Sequence, residues 1–187
     1  MIPDFLVPFV TIGLAELGDK TQLSIFLLSS GTEKRFQLLL GVSLAFLTVD
    51  GFAVALGSWI THTIPYSTLK VASGLMFLAF GFLTLMGWKI GKKPWVITVN
   101  SKKNPLIVGY TLIFMAEWGD KTQVASALFA AHFEASMVLL SVMAALIILS
   151  AIAIYLGKIA LRKVDNRLMM KVSGILFMII GFLTFFF

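Results

Sequence analysis

The chain has no cysteine and only two histidines, His62 and His132. That excludes disulfides and thiolate metal sites, and it leaves the redox compartment open. It also disfavours a centre for soft ions such as Zn2+ or Cu+. Charge is scarce: Asp, Glu, Lys and Arg make up 13% of the 187 residues, about half the ~25% of a soluble domain. No nucleophile elbow, HExxH pair or phosphate-binding glycine loop is present, so no catalytic residue is assigned and the chain reads as no enzyme. No basic n-region or small-residue cleavage site precedes the first apolar run, which therefore reads as a retained span.

What is abundant is apolar. Hydrophobic residues are 59% of the chain and the mean hydropathy is +0.97. Six apolar segments emerge, at about 5–28, 37–60, 67–88, 106–131, 135–157 and 168–187. Each is near the ~20 residues that a helix needs to cross a bilayer. In lipid the backbone must bond within its own segment, so these spans are helices. The expected fold is an all-α integral membrane protein of six transmembrane helices.

The net charge of +6 does not indicate nucleic acid. Lys34, Arg35, Lys89, Lys92, Lys93, Lys102, Lys103, Lys158, Arg162, Lys163, Arg167 and Lys171 all follow spans one, three and five, whereas Lys70 alone stands on the other side. The positive-inside rule then puts those loops in the cytoplasm and both termini outside it, as expected for a multi-pass protein of the cell (inner) membrane.

The chain also repeats itself. Ala15-Glu16-Leu17-Gly18-Asp19-Lys20-Thr21-Gln22 returns as Ala116-Glu117-Trp118-Gly119-Asp120-Lys121-Thr122-Gln123, and Ser73-Gly74 and Gly81-Phe82-Leu83-Thr84 return as Ser173-Gly174 and Gly181-Phe182-Leu183-Thr184. Spans one to three thus recur as spans four to six. Three is odd, so the second half enters from the opposite face: two inverted three-helix repeats, residues 1–88 and 106–187, joined by a basic cytoplasmic linker at 89–105. Helices one and four would meet near the midplane, where transporters of this architecture place their sites.

Charged residues at membrane depth are costly and mark function by default. On a continuous helix Glu16, Asp19 and Lys20 share one face, as do Glu117, Asp120 and Lys121. If the two faces meet, four carboxylates converge. They cannot all stay ionised in a low dielectric, so protons or a cation must neutralise them. Competition between the two is the chemistry of a metal/proton antiporter. Gln22 and Gln123 add amide oxygens, and Thr21 and Thr122 offer hydroxyls to metal or to the backbone. An all-oxygen set suits Mn2+, Ca2+ or Mg2+. Lys20 and Lys121 read as charge-compensating residues, each pairing with a carboxylate or moving away when metal binds. Gly18 and Gly119 permit either a helix break or close packing, and the sequence does not separate the two. Asp50 aligns with Ser150 and breaks the symmetry; it reads as a salt-bridge partner, a proton-coupling residue or a member of the site. Trp118 reads as packing or a gate, and Gly74, Gly81, Gly174 and Gly181 as helix-packing positions.

The paired Glu-x-Gly-Asp-Lys-Thr motifs, Glu16 to Thr21 and Glu117 to Thr122, resemble those of the Gdt-type cation transporters, with bacterial members of the MneA manganese-exporter kind. The resemblance covers essentially the whole chain. It implies transport of Mn2+ or Ca2+ in exchange for protons, with the acids of both motifs as ligands and Mn2+ export as the leading reading. Asp50 lies outside the motif. The partners implied are the bilayer, divalent cations and protons, with no nucleic acid and no cofactor; a homodimer is an option. The alternatives are an exporter of small, amino-acid-type solutes and a non-transporting membrane subunit.

Overall fold

The computed structural model describes residues 2–86, 104–163 and 166–185. Among the described residues the regular elements are eight helices: α1 Ile2–Glu16, α2 Lys20–Ser30, α3 Arg35–Ile60, α4 Tyr66–Leu85, α5 Pro105–Glu117, α6 Lys121–Ala130, α7 Ala135–Lys163 and α8 Asn166–Thr184. The linker expected at 89–105 lies outside the described residues except for Asn104 and Pro105. So do the side chains of the expected basic connection at 158–167.

Three expected spans appear as α3, α4 and α7. Residues 35–60, 66–85 and 135–156 are each long and apolar enough to cross a membrane, and α5 and the 168–184 part of α8 are shorter apolar helices. Helix α7 continues to Lys163, so most of the connection expected at Lys158–Arg167 is helical instead. The spans expected at 5–28 and 106–131 are corrected. Neither is one helix: each is a pair, α1–α2 and α5–α6, interrupted in mid-motif.

Local sequence explains several ends. Asn104 caps α5, its side-chain oxygen accepting from the Leu106 N–H at 3.0 Å, with Pro105 in the first turn where its missing N–H costs nothing. Pro65 precedes α4 in an extended conformation that a helix cannot continue through.

Packing joins the two parts of the chain. The most extensive contact pairs α4 with α8, while α3 lies on α5 and α6 and α7 lies on α1 and α2. Each long helix therefore supports the broken pair of the other part. The expected packing glycines make these approaches possible. A Cβ on Gly81 would stand 2.7 Å from the Gly174 carbonyl oxygen, and one on Gly181 2.9 Å from that of Gly74. On α3, the backbone of Leu106 occupies the place of a Gly41 side chain and that of Ala127 the place of a Gly57 side chain. Phe77 fills the space beside α6 and α8, with ring centroids 5.0 Å from Phe129 and 6.1 Å from Phe177. Meanwhile Phe36, Phe52, Trp59, Leu75, Phe82 and Leu140 point outward and are exposed. An apolar exterior of that extent suits hydrocarbon rather than water.

Candidate metal centre

The two interruptions have one cause. Gly18 has φ of 80° and Gly119 has φ of 82°, and no other described residue has positive φ. That left-handed turn is open to glycine and costly for other L-residues. It stops the incoming helix, as a glycine just past a helix end commonly does. The aspartate that follows starts the next one. Asp19 (φ −72°, ψ 169°) and Asp120 (φ −80°, ψ 166°) are extended N-cap residues, the role aspartate fills best. Asp19 Oδ1 accepts from the Lys20 N–H at 2.7 Å. Each turn is closed by the aspartate N–H donating to the carbonyl of the motif glutamate, at 3.1 Å in the first and 3.0 Å in the second.

The expected helical face is therefore corrected. Glu16 ends α1 and Asp19 and Lys20 begin α2; Glu117 ends α5, and Asp120 and Lys121 open α6. The acids meet because both helices break and the two breaks face one another, not because of i, i+3 spacing.

One carboxylate oxygen each from Glu16, Asp19 and Asp120 lie within 4.8 Å of one another. Glu16 is 0% exposed, and neither of its oxygens has a hydrogen-bond partner. Lys121 crosses from the other break, ion-pairs with Asp19 and stands 3.6 Å from Glu16 Oε1. So the cluster holds acids from both motifs and an ammonium from the second.

Glu117, expected as a fourth member, is held apart from this group of three. It is buried and accepts the Thr21 hydroxyl at 2.5 Å. The Thr122 hydroxyl lies 3.5 Å from Glu117 and 3.4 Å from Asp120, linking the two acids. The glutamines differ as well. Gln22 is buried and neither of its amide atoms has a partner. Gln123 accepts from the Gly119 N–H at 2.7 Å and donates to the Val49 carbonyl at 3.4 Å, clasping the second break shut.

Asp50 is buried on α3 and accepts from Ser126 of α6 at 2.8 Å. Of the three readings of Asp50, that of a salt-bridge partner gives way to a hydrogen bond from serine. Sequence reasoning missed Ser126. The available signal was its place three and four residues beyond Gln123 and Thr122, on the same face of α6. Trp118 is exposed and stacks near Phe52 and Phe114, at 5.8 and 5.0 Å, which is packing.

Buried carboxylates are costly unless charge and hydrogen bonds compensate them. Here the Glu16, Asp19 and Asp120 carboxylates stand with the Lys121 ammonium among them, and Glu16 lacks any hydrogen-bond donor. The donors are oxygens alone, the set that hard divalent cations prefer.

With that geometry in view, the relatives of the chain can be placed. Residues 4–91 and 105–187 match the family described as Divalent cation/proton antiporter GDT1. The chain is 30% identical over 184 residues to a protein of Vibrio cholerae named, provisionally, as a manganese exporter, with 97% of this chain and 90% of that protein covered. It is 27% identical to a GDT1-like protein of Synechocystis, covering 95% of this chain and 94% of the other. A chloroplastic GDT1-like protein of rice is 24% identical, covering 97% of this chain and 60% of the other. No solved structure matches the chain at the same stringency. The family is one of transporters rather than enzymes, and the Vibrio cholerae relative is named as an exporter.

Proposed function

Because the chain belongs to the GDT1 family of divalent cation/proton antiporters, we propose that it exports Mn2+ from the cytoplasm in exchange for protons, with Ca2+ as the second candidate ion. The observation that carries this reading is the convergence of Glu16, Asp19 and Asp120 within 4.8 Å, from two separate helix breaks, with Glu16 fully buried and without a hydrogen-bond donor. Three such oxygens can bind one hard cation at ~2.0–2.6 Å each once the two breaks close around it. The name of the Vibrio cholerae relative supports Mn2+ as the ion.

In this reading Glu16, Asp19, Gln22, Glu117, Asp120 and Gln123 form the ion-binding set. Gln22, buried and unpaired, can turn its carbonyl to the ion. Glu117 and Gln123 are held by Thr21 and Gly119, and join when the second break rearranges. Cation and protons compete for the same carboxylates, which couples their movements in opposite directions. Asp50, held by Ser126, is the candidate proton carrier beside the site. The broken pairs α1–α2 and α5–α6 each count as one crossing, giving six spans in two inverted halves, 1–88 and 106–187. Half-helix ends at mid-depth are where such transporters bind ions. The basic loops face the cytoplasm, and both termini lie outside it, in the inner membrane.

The test is flux in proteoliposomes under an imposed proton gradient, comparing the unaltered protein with Glu16→Gln and Asp120→Asn. Gradient-driven Mn2+ flux lost in both variants is expected. Flux of neither ion, or flux untouched by both substitutions, refutes the site.

A further inference from the structure

We propose that Lys121 is a tethered cation that competes with the transported ion for Glu16 and Asp19. This rests on the ion site read above and assigns Lys121 a role within it.

Four observations lead there. First, Lys121 does not serve its own helix. It is the opening residue of α6, where the positive end of the helix dipole disfavours a cation. Its ion pairs reach to the other part of the chain, to Asp19 and, at 3.6 Å, to Glu16, and the neighbouring Asp120 adds its negative charge. Second, it is well enclosed: its side chain is 16% exposed, against 29% for Asp19, so this is no solvated surface pair. Third, Glu16 has nothing else. Thr21 gives its proton to Glu117 and Thr122 stands between Glu117 and Asp120, and the Glu16 oxygens have no hydrogen-bond donor. The ammonium at 3.6 Å is an ion-pair contact, too long for a hydrogen bond. An incoming metal therefore breaks one hydrogen bond, that to Asp19, and none at Glu16. Fourth, the same oxygens are the ones a metal needs, because Glu16 and Asp19 are two of the three that converge with Asp120.

A metal ion bound within ~2.6 Å of those oxygens and an ammonium in contact with them repel one another, so the two exclude each other.

The experiment measures Mn2+ binding to the purified protein. Lys121→Gln is expected to bind Mn2+ about tenfold more tightly, through loss of like-charge repulsion. Lys121→Arg keeps the cation and is expected to bind as the unaltered protein does. Equal or weaker Mn2+ binding by Lys121→Gln overturns the proposal and makes Lys121 a structural pair. The ion site itself fails by a different sign: no saturable Mn2+ binding by the unaltered protein, or binding unaffected by Asp120→Asn. Should Lys121→Gln not fold, amine acylation of the unaltered protein decides. Labelling at Lys121, mapped by peptide mass, is expected to rise when Mn2+ is added, and an unchanged or reduced rate overturns the proposal.

Discussion

Gly51 and Gly119 can be compared directly, because a Cβ has room at both. At Gly119 nothing lies within 4 Å of the added carbon, and at Gly51 only Leu47 Cδ1 does, at 4.0 Å. Sterics between residues therefore predict the same small effect of alanine at each. Backbone conformation predicts opposite signs. Gly51 lies inside the regular helix α3, where alanine is better than glycine by about 0.5–1 kcal/mol. Gly119 has φ of 82°, a conformation that costs an L-residue about 1–2 kcal/mol. For a chain of this length, one kcal/mol moves the melting temperature by ~2–4 °C. Gly51→Ala should then melt about 1–4 °C higher than the unaltered protein and Gly119→Ala about 2–8 °C lower. The measurement is thermal unfolding of the two variants in one detergent. Transport gives a second readout. Alanine that relaxes into the right-handed region joins α5 to α6 and withdraws Asp120 from Glu16 and Asp19, so Gly119→Ala should also slow Mn2+ flux. A Gly119→Ala protein that melts at or above the unaltered temperature and transports normally refutes the claim that the second break requires a left-handed residue.

Three further outcomes are expected. Thr21→Val removes the buried 2.5 Å hydrogen bond to Glu117 and should cost about 1–3 kcal/mol, the range for a buried polar group left without its partner; Thr21→Ser should recover most of it in the same unfolding assay. Gly81→Ala puts a Cβ 2.7 Å from the Gly174 carbonyl oxygen and 2.8 Å from the Met178 nitrogen, so α4 and α8 must separate, at about 1–3 kcal/mol; a variant as stable as the unaltered protein refutes the close crossing. His132 lines an apolar recess of about 540 Å³ together with Tyr66, Phe129 and Phe133. Burial, and then Lys70, holds its imidazole below the usual 6.5. A histidine with a lowered folded value gives stability that is present above 6.5 and lost as the pH falls, because the unfolded chain takes up the proton first. Melting curves should drop between about pH 7 and pH 5 in the unaltered protein and drop less in His132→Gln; equal slopes refute that account.

The sequence by itself determined the class of this protein and the identity of its acids. Long apolar segments specify membrane-length helices because lipid offers the backbone no other partner, and α3, α4 and α7 fall where those segments lie. The recurrence of Glu-x-Gly-Asp-Lys-Thr singled out Glu16, Asp19, Glu117 and Asp120. Gly-Asp is also a stop signal followed at once by a start signal, so capping chemistry allowed the breaks at Gly18 and Gly119 without deciding between them and close packing. Apolar length concealed them, because a hydropathy window averages across a three-residue turn.

Tertiary structure alone decided how the acids are grouped. Two motifs that differ only at Leu17 and Trp118 hold different partners: Thr21 gives its proton to Glu117 while Thr122 stands between Glu117 and Asp120, Gln123 clasps Gly119 while Gln22 has no partner, and Lys121 reaches across to Asp19. Asp50 met the Ser126 hydroxyl. Repetition fixes which groups are present, but each hydroxyl has one proton to give and each ammonium one place to be. Where they go depends on which helix of the other half stands opposite, and that is set by packing between residues about a hundred positions apart.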